Sequence, residues 1–209
     1  MKFVGLRGYS RYSDKKALTL DEINSLKNVA VALNRVKDGE ELVEICRKIR
    51  HIHVILNELY AIANVSKFKK VTVSVGMVSV NNLDLKFYRE LNAHAVVIPP
   101  ELNDEVESFE NDGLKIEVFG KAFVEMFYKG RCHLSAYASG KSVKRDGVCS
   151  MECARMWEVL YSGEKICETS FKPELRIYDV KADYIKHETR QINGEGVIEN
   201  GINNKCSQS

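Results

Sequence analysis

The sequence predicts an α/β fold: an incomplete or modified (β/α) TIM-like barrel that runs into a C-terminal cysteine-bearing segment. Three observations predict it. Short apolar runs rich in Val and Ile alternate with amphipathic helical patterns about six times over roughly the first 120 residues, as in a parallel sheet covered by helices. The alternation then stops. Beyond it, four of the six cysteines fall between positions 132 and 167. An open parallel sheet is the alternative arrangement of the same units.

The elements follow in order. Lys2–Leu6 reads as a strand. Thr19–Lys27 reads as a helix, with Thr19 and Glu22 at capping-box spacing. Val29–Leu33 is the second strand. Asp38 opens a helix through Arg47, with Leu42, Val43, Cys46 and Ile49 on one face. His53–Leu56 is the third strand, followed by a short element at 58–64. Val71–Val75 is the fourth, and Asn82 is placed to cap a helix over 83–91. Ala95–Ile98 is the fifth, stopped by Pro99 and Pro100. A short helix over 101–109 and a strand at Leu114–Phe119 complete the alternation. Glu174–His187 reads as a strand and a helix. The organisation expected is a partial barrel over 1–120, a cysteine segment over 121–192 that completes the domain, and a Gly- and Asn-rich disordered tail over 193–209.

Composition narrows the class. Of 209 residues, 44% are hydrophobic and 29% charged, the balance of a globular protein, and a net charge of +2 gives no general attraction to nucleic acid. No apolar run approaches the ~18–20 residues of a membrane helix, so no membrane insertion is expected. The opening MKFVGLRGYS lacks the apolar core of a secretory signal. A cytoplasmic location with reduced thiols is the expectation.

The cysteine spacing carries the chemistry. Cys132, Cys149, Cys153 and Cys167 are separated by sixteen, three and thirteen residues. Thiolates are soft ligands suited to iron–sulfur clusters and to zinc. Three intervening residues let Cys149 and Cys153 face one centre from a loop or a single turn, and Gly130, Gly140 and Gly147 allow close wrapping of the backbone. Buried, inert thiols are the plain alternative.

From Glu117 to Arg155 the sequence resembles the peptidase U32 family, the collagenase-like proteases. Glu117, Phe119, Val124, Gly130, Cys132, Leu134 and Ser135 match its signature without a gap. Gly140, Ser142, Arg145, Gly147, Cys149, Cys153 and Arg155 match the continuation. Asn81 and Glu101 fall at the family's strand–turn–helix positions, and the resemblance spans about residues 2–160. It departs in three places. Glu125 stands where the family has its first signature cysteine, after Ala122 and Phe123. Pro100 replaces the Arg that precedes Glu101. The first strand–helix unit of the family barrel is missing, which leaves an open barrel with exposed strand edges.

The resemblance implies an iron–sulfur cluster, [4Fe–4S], on Cys132, Cys149 and Cys153, with Cys167 the first candidate for a fourth ligand, Glu125 the second and Cys46 a distant third. It implies either peptidase activity, as the family is named, or oxygen-independent hydroxylation of RNA or of a quinone precursor with prephenate as oxygen donor. Arg131 and Arg155 flank the cysteines and are candidates to hold a dicarboxylate, or else to offset the cluster's charge. Asn34, Asn81, Glu101 and Glu117 are expected at strand ends, where barrel enzymes place ligand contacts. A non-catalytic role is the rival: a cluster-bearing subunit whose open edge is covered by a longer family member.

Overall fold

A computed structural model describes residues 1–11, 17–128, 131–147, 149–188 and 195–200. Six parallel strands follow one another in space as in sequence: β1 (Lys2–Gly5), β2 (Val29–Leu33), β3 (His53–Leu56), β4 (Lys70–Val73), β5 (Ala95–Val97) and β6 (Lys115–Val124). Between them run α1 (Leu20–Ser25), α2 (Gly39–Lys48), α3 (Leu59–Val65) and α4 (Asn82–Glu90), with a 3-10 helix at Pro100–Ser108 between β5 and β6. The capping box of Thr19 and Glu22 is formed in full at α1. Asp38 caps α2 by accepting from Glu40 and Glu41 N–H.

Side-chain alternation sorts each strand. Val29, Val31 and Leu33, Val54 and Leu56, Val71 and Val73, Val96 and Ile98 face outward and pack with Ile23, Leu42, Cys46, Ile62 and Leu85 of the helices. Phe3, Ala30, Ala32, Ile55 and Ile198 meet inside the barrel. Period-two burial on both faces is what a helix-covered parallel sheet demands.

The barrel is closed. Strand β10 (Tyr184–His187) lies parallel to β6, and β11 (Glu195–Asn200) runs antiparallel between β10 and β1. Eight of the described strands thus form one mixed closed barrel, with β9 (Glu174–Ile177) added antiparallel along the far half of β6. This corrects two expectations. The open edge left by the missing first unit is filled by the chain's own β10 and β11, and Glu174–His187 holds two strands and no helix. Part of the expected disordered tail is also corrected, because 195–200 pair with both neighbours; 201–209 lie outside the described residues.

The β6–β10 ladder is tight. A Cβ on Gly120 would stand 2.5 Å from the Ile185 side chain, so only glycine lets the strands approach there. Inside the barrel, Lys186 Nζ donates to Glu117 Oε1 at 2.6 Å, with the carboxylate fully buried, and the ammonium sits 4.5 Å from the centre of the Phe3 ring. Removing one member of such a pair leaves a buried charge, at a cost of about 3–5 kcal/mol, whereas replacing both with apolar residues is often close to neutral. Glu117→Gln is therefore expected to lower unfolding free energy by about that amount, and Glu117→Met with Lys186→Met to recover most of it. Urea unfolding of the three proteins checks this; equal loss in the single and double variants would contradict it.

Candidate metal centre

Beyond β6 the chain turns into short pieces laid across the C-terminal mouth of the barrel. They are α5 (His133–Ser139), α6 (Val143–Asp146) and a 3-10 turn at Glu152–Ala154. Loops after the first two strands hold them there. Arg35 Nε donates to the Arg145 carbonyl at 2.9 Å, and Val36 N–H donates to the Lys144 carbonyl at 2.8 Å. Gly147, with φ of 71°, ends α6 in the left-handed region, and a Cβ there would press on the Arg35 side chain.

Cys132, Cys149 and Cys153 line one cavity with Glu125, Met126, Phe127, Leu134, Val143, Met151 and Pro173. Its wall is apolar apart from the sulfurs and the Glu125 carboxylate. One of the sulfurs accepts a backbone N–H. Cys132 is the N-cap of α5, and its Sγ accepts from Ser135 N–H at 3.3 Å. Cys149 Sγ lies 3.8 Å from Met151 Sδ. Met151 reaches that position in the left-handed region, at φ of 56°, which costs a non-glycine residue about 1 kcal/mol.

Charge follows from the crowding. Burial pushes the Cys149 thiol up from its ordinary range, and the neighbouring Cys132, Glu125 and Glu152 push it further against the Met151 N–H. Cys153 is raised in the same way, by burial first and then by Cys149, Cys132 and Glu125. Among the described residues no three His, Cys, Asp or Glu side chains are drawn close enough to hold a single metal ion.

A second ring of contacts holds the turns. Buried Ser135 shares a hydrogen bond with Ser150 at 3.3 Å, and Ser150 Oγ donates to Ser139 Oγ, which ties α5 to the Cys149 loop. Trp157 Nε1 donates to the Glu152 carbonyl at 2.8 Å, Arg155 pairs with the buried Glu152 at 3.1 Å, and Phe171 N–H donates to the Cys153 carbonyl. Ser135 was visible in the signature match, but a positioning role for it was not; the serine at 150, inside the three-residue gap of the cysteine pair, was the missing half of the signal.

The other expected site residues separate from this centre. Cys167 lies on an exposed hairpin of β7 (Trp157–Tyr161) and β8 (Glu164–Thr169), opposite Val159, and does not line the cavity. Cys167 was expected as the first candidate for a fourth ligand. Instead, Ser162 and Gly163, both at positive φ, turn a hairpin. Cys46 is buried under α2, where burial pushes its thiol up to about 12. Glu117 is not at a strand end: β6 continues to Val124, and the carboxylate sits inside the barrel. Asn81 caps α4 by accepting from Leu83 and Asp84 N–H, taking the place expected for Asn82. Glu101 is exposed on the 3-10 helix. Arg155 is held by Glu152, while Arg131 is exposed beside Cys132. Asn34 does end its strand, buried, with Oδ1 accepting from Arg11 N–H at 2.9 Å. Gly130 and Cys206 lie outside the described residues.

The thiols should therefore differ in reactivity in metal-free protein. Alkylation mapped by peptide mass spectrometry is expected to modify exposed Cys167 well before Cys46, which reacts only on unfolding. Equal rates for the two in folded protein would contradict this placement.

The family model for peptidase family U32 matches residues 14–193. A solved structure of the U32 peptidase Mk0906 is 12% identical, with a TM-score of 0.47 over 58% of this chain, and the match spans 61% of that chain's length. Comparison with curated proteins gives no match. No helix among the described residues is long and apolar enough to cross a membrane. With the signature cysteines on one cavity and the family model matching most of its length, the chain belongs to peptidase family U32.

Proposed function

We propose that this chain is an iron–sulfur protein whose cluster is held by Cys132, Cys149 and Cys153, and that it serves oxygen-independent hydroxylation with prephenate as the oxygen donor and an RNA or a quinone precursor as acceptor. The observation that carries the cluster is the set of three thiols around one apolar cavity, with the Ser135 N–H at the Cys132 sulfur. N–H donors to sulfur and burial are what tune such centres. A multi-iron core takes more room than one ion, so thiols set around a cavity suit it. When bound, a cluster supplies one-electron chemistry.

The chain's own residues would do the rest. Glu125, on the cavity wall, is the candidate for a fourth position, a hard oxygen donor that is easily exchanged. Arg131 stands at the rim. Lys144 lies near Arg131 and Arg11, and its pKa is lowered by burial first and by those cations next. That concentration of positive charge is suited to holding a dicarboxylate against the apolar wall. Peptide hydrolysis would need His133 to serve Cys132 as a base; its ring packs edge-on against Phe127 at 5.3 Å, and the sulfur takes the Ser135 N–H.

One observation favours a subunit role alongside this. The β7–β8 hairpin exposes Leu160 (57%), Tyr161 (73%) and Ile166 (63%), and a two-stranded hairpin is marginal by itself. A longer family member is the partner proposed for it.

Anaerobically purified protein is expected to be brown and to contain iron and acid-labile sulfide, and Cys132→Ala, Cys149→Ala or Cys153→Ala to lose most of both. A colourless protein with one zinc, or full iron in all three variants, would end this reading. Cys167→Ser is expected to keep the native cluster spectrum and Glu125→Gln to change it. The reverse pair of results would return the fourth position to Cys167.

A further inference from the structure

The barrel has a second mouth, at the N-terminal ends of its parallel strands. There a cavity of about 560 Å³ is lined by Asn28, His53, Lys70, His94, Tyr184 and Ile198 among others. These residues come from the starts of β2, β3, β4, β5 and β10, with Ile198 from β11. This end of a barrel ordinarily serves stability, and its interior is filled by branched apolar side chains. Here the facing interior positions include Ala30, Ala32 and Ala95, and the walls are polar.

The polar groups are ordered. His53 Nε2 meets the buried Thr72 hydroxyl at 2.6 Å. His94 Nε2 meets the Tyr184 hydroxyl at 3.1 Å, and the two imidazoles stand edge to face, 5.7 Å between centres. With a proton on His94 Nε2 donated to the Tyr184 oxygen, the tyrosine O–H is left to donate into the cavity.

The charge here has one sign. Among the described residues the lining brings the Lys70 cation and two imidazoles and holds no carboxylate. Asp183 at this end is committed to Lys115 Nζ at 2.8 Å and to Ile116 N–H at 2.9 Å, and Asp112, which lines a neighbouring pocket with Lys70 and His94, is paired with Arg89. Deeper in, Glu117 is taken by Lys186. The imidazoles register the excess. Burial, then His94, Lys186 and Lys70, hold His53 down to about 4, and burial, then Lys70 and Lys115, lower His94, with Asp183 opposing.

We propose that this N-terminal mouth binds a small oxyanion, a phosphate or carboxylate group, on Lys70 with the Tyr184 hydroxyl, oriented by the His94 ring, as its other contact. The site is separate from the cysteine centre and does not depend on a cluster. An anion there offsets the unbalanced positive charge and meets preset donors, the two requirements for charge-assisted binding.

The test uses the full chain, titrated separately with inorganic phosphate and with succinate, and reads the ring resonances of His53 and His94 by nitrogen-15 NMR. Saturable shifts at both rings at millimolar concentration are expected for at least one probe, and the responding probe tells phosphate from carboxylate chemistry. Lys70→Met, a change at an exposed position, and Tyr184→Phe should each weaken binding by about tenfold, the loss of one hydrogen bond to a charged group. Lys165→Gln, on the remote hairpin, should leave binding unchanged. The proposal is overturned by linear, non-saturating shifts with both probes, or by undiminished binding in both Lys70→Met and Tyr184→Phe while their urea midpoints show them folded.

Discussion

Everything else in the molecule depends on one parallel ladder, β6 against β10. It turns a row of six strands into a closed wall, and it does so where Gly120 permits a close approach and the Lys186–Glu117 pair lies inside. Without that contact β10 and the barrel half of β6 would be unpaired edges. With it, β6 keeps running past the barrel to Val124, meets β9, and delivers the chain to Glu125 on the wall of the cysteine cavity. One strand thus carries a buried carboxylate within the barrel and leads directly to a second at the cysteine-lined mouth.

The parallel half of the fold was legible because its physics is local. Periodicity, capping residues and Pro99–Pro100 marked the strands and helices up to β6, and Thr19, Glu22 and Asp38 act as their positions require. The closing half was not legible, because its pairing is non-local. Nothing within 174–187 announces that its second strand pairs with β6, nor that Val197 will lie opposite Lys2. The Gly- and Asn-rich composition after 193 argued for disorder, and tertiary pairing overrode it over 195–200.

The candidate centre divides in the same way. Cys132, Cys149 and Cys153 were readable from spacing and from the signature, and they do share a cavity. Cys167 stands apart because Ser162 and Gly163 turn a two-residue hairpin, which the cysteine spacing alone does not display. Glu117 was misjudged because the end of β6 was set at Phe119; moving that end to Val124 takes the residue from the rim to the interior. The serines at 135, 139 and 150 form a link that no linear pattern displays.

The order of synthesis gives the closing strands a further consequence. The parallel strands emerge first, and their neighbours are close in sequence, so each can pair soon after its helix forms. β1 and β6 cannot be sealed until β10 and β11 exist, nearly two hundred residues after Lys2 in the case of the Lys2–Val197 contact. Loop closure over that span is slow compared with local pairing. For that interval the nascent chain presents two naked strand edges flanking an apolar sheet, a template for other chains. The closing strands β10 and β11 therefore guard against aggregation as much as they form part of the wall.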